Sequence, residues 1–163
     1  MTIIINAKAI LTKPIHCLAF GFGSGLAPKA PGTFGTLMAV PLYLLLVQLT
    51  LWAYVLVLLV SFCVGVYLCG KTADDLGVHD HPGIVWDEFV GFWLTMLAAP
   101  AGWLWLVVGF ILFRLFDIWK PWPIRVLDEQ METGLGIMLD DVLAGVYALL
   151  VLQGLFYLQA HYL

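Results

Sequence analysis

Charged residues are scarce in this sequence. Only 11% of its 163 residues are Asp, Glu, Lys or Arg, whereas an ordinary soluble domain carries about 25%. Hydrophobic residues make up 63% of the chain, and the mean hydropathy is +1.00. So few ionisable groups cannot cover a water-facing surface, which argues against a disordered tail, a nucleic-acid-binding protein or a simple soluble monomer. We predict one membrane-embedded domain over residues 1–163, with the lipid bilayer as its surroundings.

Several catalytic and structural motifs are also missing. Cys17, Cys63 and Cys69 form no CxxC pair, so neither a disulfide framework nor a zinc site is expected. The chain has no GxxxxGK[ST] nucleotide loop, no pattern typical of a Ser-His-Asp or Cys-His nucleophile, and no aromatic RNA-binding motif. The chemistry is therefore expected to come from oxygen ligands and a few basic side chains.

Long uncharged segments fill most of the chain. The residues between Lys29 and Lys71 include no charged residue and no His, which is enough for two helical crossings of about 20 residues each. We place the turn between these crossings at Thr50–Trp52. The pattern predicts an all-α, polytopic membrane helix bundle. Its helices are expected at about 34–49, 52–70, 89–99, 103–116 and 142–160.

The apolar run at 89–113 conflicts with the charges around it. A basic N-terminus and two crossings place residues 71–88 on the cytoplasmic side, so a straight third crossing would leave the basic residues of 114–141 outside, against the positive-inside rule. Pro100-Ala101-Gly102 divides the run, and Pro and Gly favour a break there. We predict about three full spans plus a broken or re-entrant hairpin at 89–113, both ends cytoplasmic, its turn covered by protein. One kinked crossing is the alternative.

The first of four polar segments is glycine-rich. It covers Gly21–Thr36 and leads into the first long helix, for which Thr33 is the predicted N-cap. Backbone N–H groups at such a junction suit a phosphate, and glycines let a ligand approach the backbone. Plain turn formation by the glycines is the alternative.

The second polar segment, Asp74–Glu88, is acidic. Residues 71–88 hold one basic and five acidic residues, an excess that favours a divalent cation. Asp87 and Glu88 begin the third apolar run, where they could also simply complement a helix N-terminus. His79 and His81 resemble metal ligands, but two loop histidines beside an acid are more typical of solvated side chains.

The third polar segment, Arg114–Arg125, carries charges at a regular spacing. Arg114, Asp117 and Lys120 recur every three residues and so lie along one side of a helix end, which Pro121 then stops. An ion-pair ladder at the membrane interface would explain them structurally. The functional alternative has Asp117 on a metal while Arg114 and Lys120 hold a phosphate.

The fourth polar segment, Asp128–Asp141, ends in two adjacent carboxylates, Asp140 and Asp141, at the predicted start of the last span. One would cap the helix, while the other adds repulsion unless a cation bridges the two. Gly145, one turn later, would let another helix approach. Hard oxygen ligands select Mg²⁺, and Mg²⁺ with Arg and Lys stabilises a transferring phosphoryl group. The residues thus favour phosphoryl transfer or phosphate hydrolysis at the cytoplasmic face.

Taken together, the four segments resemble the bacterial phosphatidylglycerophosphatase A family. The resemblance covers about Leu18–Gly145. It implies Mg²⁺-dependent removal of the terminal phosphate from the phospholipid phosphatidylglycerophosphate, giving phosphatidylglycerol and inorganic phosphate at the inner membrane. The matching motifs are Ala30-Pro31-Gly32-Thr33, Trp86-Asp87-Glu88, Phe113–Ile124 and Gly136–Gly145.

The resemblance also implies roles for single residues. Its acidic positions are matched by Asp87, Glu88, Asp117, Asp140 and Asp141, and its basic ones by Arg114 and Lys120. We expect four of the acids to bind the metal directly or through water, namely Glu88, Asp117, Asp140 and Asp141. Asp87 would orient them or act as base toward the attacking water. Lys29 and Thr33 are candidates to hold the phosphate or the glycerol, and the acyl chains are expected beside Phe89–Trp93 and the last helix.

Two other function classes stay open at this point. A lipid head-group phosphotransferase would use similar Mg²⁺ carboxylates, although the DGxxAR…GxxxDxxxD pattern of one such group is absent. A transporter or channel would use the carboxylates as an ion pathway, although the acids lie at the predicted ends of spans. Ion flux into vesicles without phosphate release would favour the transporter.

Overall fold

The computed structural model describes residues 7–78, 81–131 and 133–162, and every regular element in those ranges is helical. The predicted all-α class is therefore confirmed for the described part of the chain. The elements, in chain order, are α1 (Ala7–Thr12), α2 (Pro14–Ala19), a 3-10 helix (Gly21–Leu26), α3 (Pro31–Leu46), α4 (Leu51–Leu76), α5 (Trp86–Thr95), α6 (Trp103–Trp119), α7 (Ile124–Gln130) and α8 (Gly134–Tyr162).

Helix α8 organises the bundle, since it packs against α4, α5, α6 and α7. Helix α5 lies between it and α3, and is enclosed on nearly every side. Phe89 and Phe92 of α5 and Phe113 of α6 are fully buried, together with Met138 and Leu152 of α8. The core is thus formed around a short helix that is apolar on nearly all its faces after the first turn, as expected for a buried helix.

Small residues allow α5 and α8 to cross closely. A Cβ atom on Gly145 would lie 2.5 Å from the Gly91 carbonyl oxygen, and one on Gly91 would lie 2.7 Å from the Asp141 carbonyl oxygen. The Thr95 hydroxyl donates to the Gly91 carbonyl at 2.9 Å. The predicted role of Gly145 in admitting another helix is confirmed. This crossing brings Glu88, on α5, towards Asp141, on α8.

Two helices in the described ranges, α4 and α8, are long and apolar enough to cross a membrane. This is one fewer than the about three full spans that the sequence predicted. Helix α3 is apolar but has only 16 residues, which extend about 24 Å, short of the roughly 30 Å hydrocarbon core. Helix α3 ends at Leu46, and the chain turns before Thr50. The Thr50 side chain accepts a hydrogen bond from the Ala53 N–H and so caps the start of α4.

Helices α5 and α6 form a hairpin. Residues 96–102 separate them, with the positive φ angles of Ala98 (53°) and Gly102 (123°) reversing the chain direction. Glu88, in the first turn of α5, lies 3.6 Å from Arg114, near the end of α6, so the two charged ends meet. Gln153 of α8 donates to the Ala98 carbonyl at 3.0 Å and covers part of the turn. The helices are therefore paired, as predicted, rather than joined into one kinked helix.

The starts of α3 and α8 differ from those predicted. Helix α3 begins at Pro31 with Ala30 at the N-cap position, because proline fits the first helical turn; Thr33 is not the cap. Helix α8 begins at Gly134, not near residue 142. Asp140 and Asp141 therefore lie in its second turn, where they cannot act as N-caps.

Candidate active site

Three buried carboxylates converge where α5 crosses α8. Asp87 and Glu88 stand in the first turn of α5, and Asp141 faces them from α8; they are 9%, 8% and 3% exposed. One oxygen from each side chain lies within 4.8 Å of those of the other two. Glu88 Oε2 and Asp141 Oδ2 make no hydrogen bond. Such close buried carboxylates repel one another unless protons or a cation lie among them.

Helix α6 adds a fourth carboxylate and a guanidinium. Asp117 lines the same pocket as Asp141. Arg114 Nη1 pairs with Asp117, three residues along the same helix, and lies 3.6 Å from Glu88 Oε1. Arg114 Nε is buried and has no hydrogen-bond partner. The three-residue spacing thus places both α6 side chains against the trio Asp87, Glu88 and Asp141.

Lys120 and Asp140 form the other end of the site. Helix α6 ends at Trp119, and Lys120 follows in a left-handed conformation (φ 43°) directly before Pro121. Lys120 Nζ lies 2.6 Å from Asp140 Oδ2. Asp140 Oδ1 accepts a hydrogen bond from the Asp141 backbone N–H at 2.9 Å. Asp140 therefore points towards Lys120, whereas Asp141 points into the trio.

These side chains line one pocket of about 260 Å³. If all five acids are ionised, the two basic residues leave an excess of three negative charges. Such an excess in a partly dry pocket favours binding of a divalent cation. The lining residues are Ala30, Pro31, Gly32, Pro82, Ile84, Asp87, Glu88, Arg114, Asp117, Ile118, Lys120, Asp140 and Asp141.

The N-terminus of α3 covers the carboxylates. A Cβ atom on Gly32 would collide with Glu88 Oε1 and lie 3.0 Å from Arg114 Nη1. The glycine-rich segment was predicted to let a ligand approach the backbone closely. At Gly32 the groups that approach the backbone are instead the side chains of Glu88 and Arg114. Pro82 and Ile84, which also line the pocket, carried no signal in the sequence, because apolar residues in a loop have no characteristic spacing.

Several candidates lie away from the pocket lining. Lys29 is exposed and does not line the pocket, while Thr33 lines a neighbouring groove together with Arg114. His81 accepts a hydrogen bond from the Gly83 N–H at 2.9 Å and packs near the Phe20 ring. His79 lies outside the described residues.

The acyl chains were expected beside Phe89–Trp93 and the last helix, and the first of these two places is wrong. Phe89, Val90, Phe92 and Trp93 are at most 4% exposed, because α3, α4 and α8 surround α5. A lipid chain cannot reach them without unpacking the bundle. An apolar helix has the same composition whether lipid or protein surrounds it, which is why the sequence did not separate the two cases.

The phosphatidylglycerophosphatase A family model matches residues 17–156. This chain belongs to that family. It is 47% identical to phosphatidylglycerophosphatase A of Escherichia coli strain K12, over 98% of this chain and 91% of that protein. It is 49% identical to phosphatidylglycerophosphatase A of Haemophilus influenzae, over 92% of this chain and 93% of that protein. No solved structure matches the chain.

Membership of this family confirms the predicted enzyme class. The chain is a phosphatase, a phosphoric monoester hydrolase, and its apolar helices associate it with a membrane. The family match extends over all four polar segments singled out in the sequence. It includes every residue that lines the carboxylate pocket.

Proposed function

We propose that this protein hydrolyses the terminal phosphate monoester of phosphatidylglycerophosphate, giving phosphatidylglycerol and inorganic phosphate, in a Mg²⁺-dependent reaction. The names of the two relatives indicate this substrate. The observation that carries the proposal for this chain is the buried trio Asp87, Glu88 and Asp141, with oxygens within 4.8 Å of one another. Arg114 and Lys120 in the same pocket supply positive charge beside it.

The trio suits Mg²⁺. The donors are all carboxylate oxygens, which this hard cation prefers, and Glu88 Oε2 and Asp141 Oδ2 have no other hydrogen-bond partner. Asp87, Glu88 and Asp141 would hold the ion, with Asp117 beside them as a further ligand, directly or through water. A bound Mg²⁺ would polarise the phosphoryl oxygens and neutralise the charge that develops on them.

This ligand set differs from the sequence-based one at two positions. The earlier expectation included Asp140 and gave Asp87 another role. Asp140 Oδ2 is engaged by Lys120 at 2.6 Å, whereas Asp87 belongs to the converging trio. We therefore propose Asp87 as a ligand. Asp140, held by Lys120 at the pocket wall, would orient the attacking water and accept its proton.

The basic residues would bind the phosphate. Arg114 Nε has no hydrogen-bond partner, so this N–H group is available to donate to a phosphate oxygen. Lys120 lines the same pocket and brings a second positive charge. Both stabilise the negative charge of the equatorial oxygens during in-line displacement. The bond between phosphorus and the glycerol oxygen of the lipid breaks, and this oxygen leaves as an alkoxide that takes up a proton from water to become the hydroxyl of phosphatidylglycerol.

We further propose a multi-pass position in the bacterial inner membrane, with the carboxylate pocket facing the cytoplasm. Helices α4 and α8 would cross the bilayer, while α3 and the α5–α6 hairpin would enter it. The charged ends of α5 and α6 meet at one end of the hairpin. Trp119 and Trp122 are largely exposed next to that end, as is typical of side chains at a membrane–water interface.

Phosphate release tests this proposal. Purified protein in detergent is incubated at neutral pH with phosphatidylglycerophosphate and Mg²⁺, with and without excess chelator. We expect inorganic phosphate only when free Mg²⁺ is present. Absence of release from a folded sample would overturn the proposed substrate, and release that the chelator does not affect would overturn the metal dependence. Titration with Mn²⁺, followed by its paramagnetic resonance signal, tests ion binding without relying on turnover.

A further inference from the structure

A second cavity opens beside the carboxylate pocket. It is a groove of about 630 Å³ between the start of α3 and the outer face of α6, here called the α3–α6 groove. Its walls are apolar except for Thr33 and Arg114. The lining residues are Thr33, Phe110, Ile111, Arg114, Leu115, Ile118 and Trp119.

The groove and the carboxylate pocket adjoin each other. Arg114 and Ile118 line both cavities, so the groove meets the pocket at the guanidinium that also pairs with Asp117. Exposed apolar side chains are ordinary on a membrane protein and by themselves do not indicate a binding site. The junction with a charged, buried site is what distinguishes this groove from the other lipid-facing surfaces.

The direction of the groove also matches that of a lipid. From Ile118 to Phe110 it follows α6 for eight residues, or about 12 Å. Its charged end lies at the carboxylates, and its other end lies towards the hairpin turn. A phospholipid bound with its phosphate at Arg114 would therefore extend its tail along α6, away from the charged end of the bundle.

We propose that the α3–α6 groove seats an acyl chain of the lipid phosphate substrate, and so delivers the phosphate past Arg114 into the carboxylate pocket. The inference rests on the proposed function. It replaces the expected location beside Phe89–Trp93, which the bundle encloses. Thr33 was a candidate to hold either the phosphate or the glycerol of the substrate. Because Thr33 lines the groove rather than the pocket, the inference favours contact between Thr33 and the glycerol.

Filling the far end of the groove tests the proposal. Ile111, 57% exposed, is replaced by Trp, and the matched control is Leu56→Trp on α4, where the side chain is 62% exposed. The value of kcat/KM is measured for dioleoyl and dihexanoyl phosphatidylglycerophosphate. Because one methylene more or less in an apolar pocket changes selectivity by tenfold or more, we expect Ile111→Trp to lower the dioleoyl-to-dihexanoyl ratio about tenfold, mainly through KM. Leu56→Trp should leave it unchanged.

The outcomes separate the groove from the proposed function. Equal ratios for Ile111→Trp, Leu56→Trp and the wild type would overturn the groove. A wild type that hydrolyses neither lipid would instead overturn the proposed function. A second measurement needs no variant: a photoreactive acyl-chain analogue of the substrate should label residues 110–119, and unlabelled substrate should compete. Labelling spread equally over α4 and α6 would overturn the proposal.

Discussion

The acidic segment at 71–88 divides into two groups with opposite surroundings. Asp75, at the end of α4, lies 2.6 Å from Lys71, one turn earlier, and 3.3 Å from the His16 ring, and its side chain is 32% exposed. Asp87 and Glu88, a few residues later, are buried against Asp141 of another helix. The first group is neutralised locally and reaches water, while the second is brought together by tertiary packing.

The difference shows that a count of charges along the chain does not locate a cation site. An exposed ion pair four residues apart on one helix contributes little to stability and attracts no further cation. Buried carboxylates are not screened by water, so their mutual repulsion must be offset by protons, a metal ion or basic side chains. Burial, more than local charge density, distinguishes the acids that we propose as metal ligands.

Replacing a buried acid should have the largest effect. We expect Asp141→Asn to lower kcat for phosphate release on the order of 10³-fold, because metal-supplied charge stabilisation is worth several kcal/mol. The midpoint of thermal unfolding should stay equal or rise, since one of several repelling charges is removed. Asp74→Asn, at the exposed end of α4, is the matched control and should stay within about twofold of the wild type. Activity of Asp141→Asn near that of the control would remove Asp141 from the ligands.

Moving the Glu88 carboxylate without replacing it should lower activity by a smaller factor than replacing a buried acid. In Gly32→Ala the new methyl group would collide with Glu88 Oε1 and crowd Arg114. We expect kcat/KM to fall about 10²-fold, since misplacement by about 1 Å costs that much. Gly154→Ala is the control, because a Cβ there would meet nothing within 4 Å. Equal activities of the two variants would show that the α3 N-terminus does not position the carboxylates.

Acidification should have the smallest of these effects, acting on stability alone through His16, which pairs with Asp75. Burial lowers the pKa of His16 below its usual 6.5, although Asp75 opposes this. The unfolded chain therefore takes up the proton first, so stability falls as pH drops below about 6.5. We expect the unfolding midpoint to fall between pH 7.5 and 5.5 by at most about 4 °C, and by less in His16→Gln. Identical pH dependence in the two proteins would contradict this assignment.

Parts of the site were predictable because they depend on local spacing. Arg114 and Asp117 share a helix face at any register, and Pro100-Ala101-Gly102 could not continue an apolar helix. The start of α8 was not predictable in the same way. Gly134 and Gly136 have low helix propensity, yet α8 includes both. A Cβ on Gly134 would collide with the Val66 carbonyl, so close packing against α4 explains glycine there.

The sequence by itself determined the all-helical class, the membrane association, the four polar segments and the family. Each depends on composition, on periodicity or on a motif that is contiguous in the chain. Only the tertiary structure decided which acids converge, that α5 is enclosed by protein and that the α3–α6 groove adjoins the pocket at Arg114 and Ile118. These depend on contacts between distant segments, and an apolar helix is equally stable against lipid or against another helix.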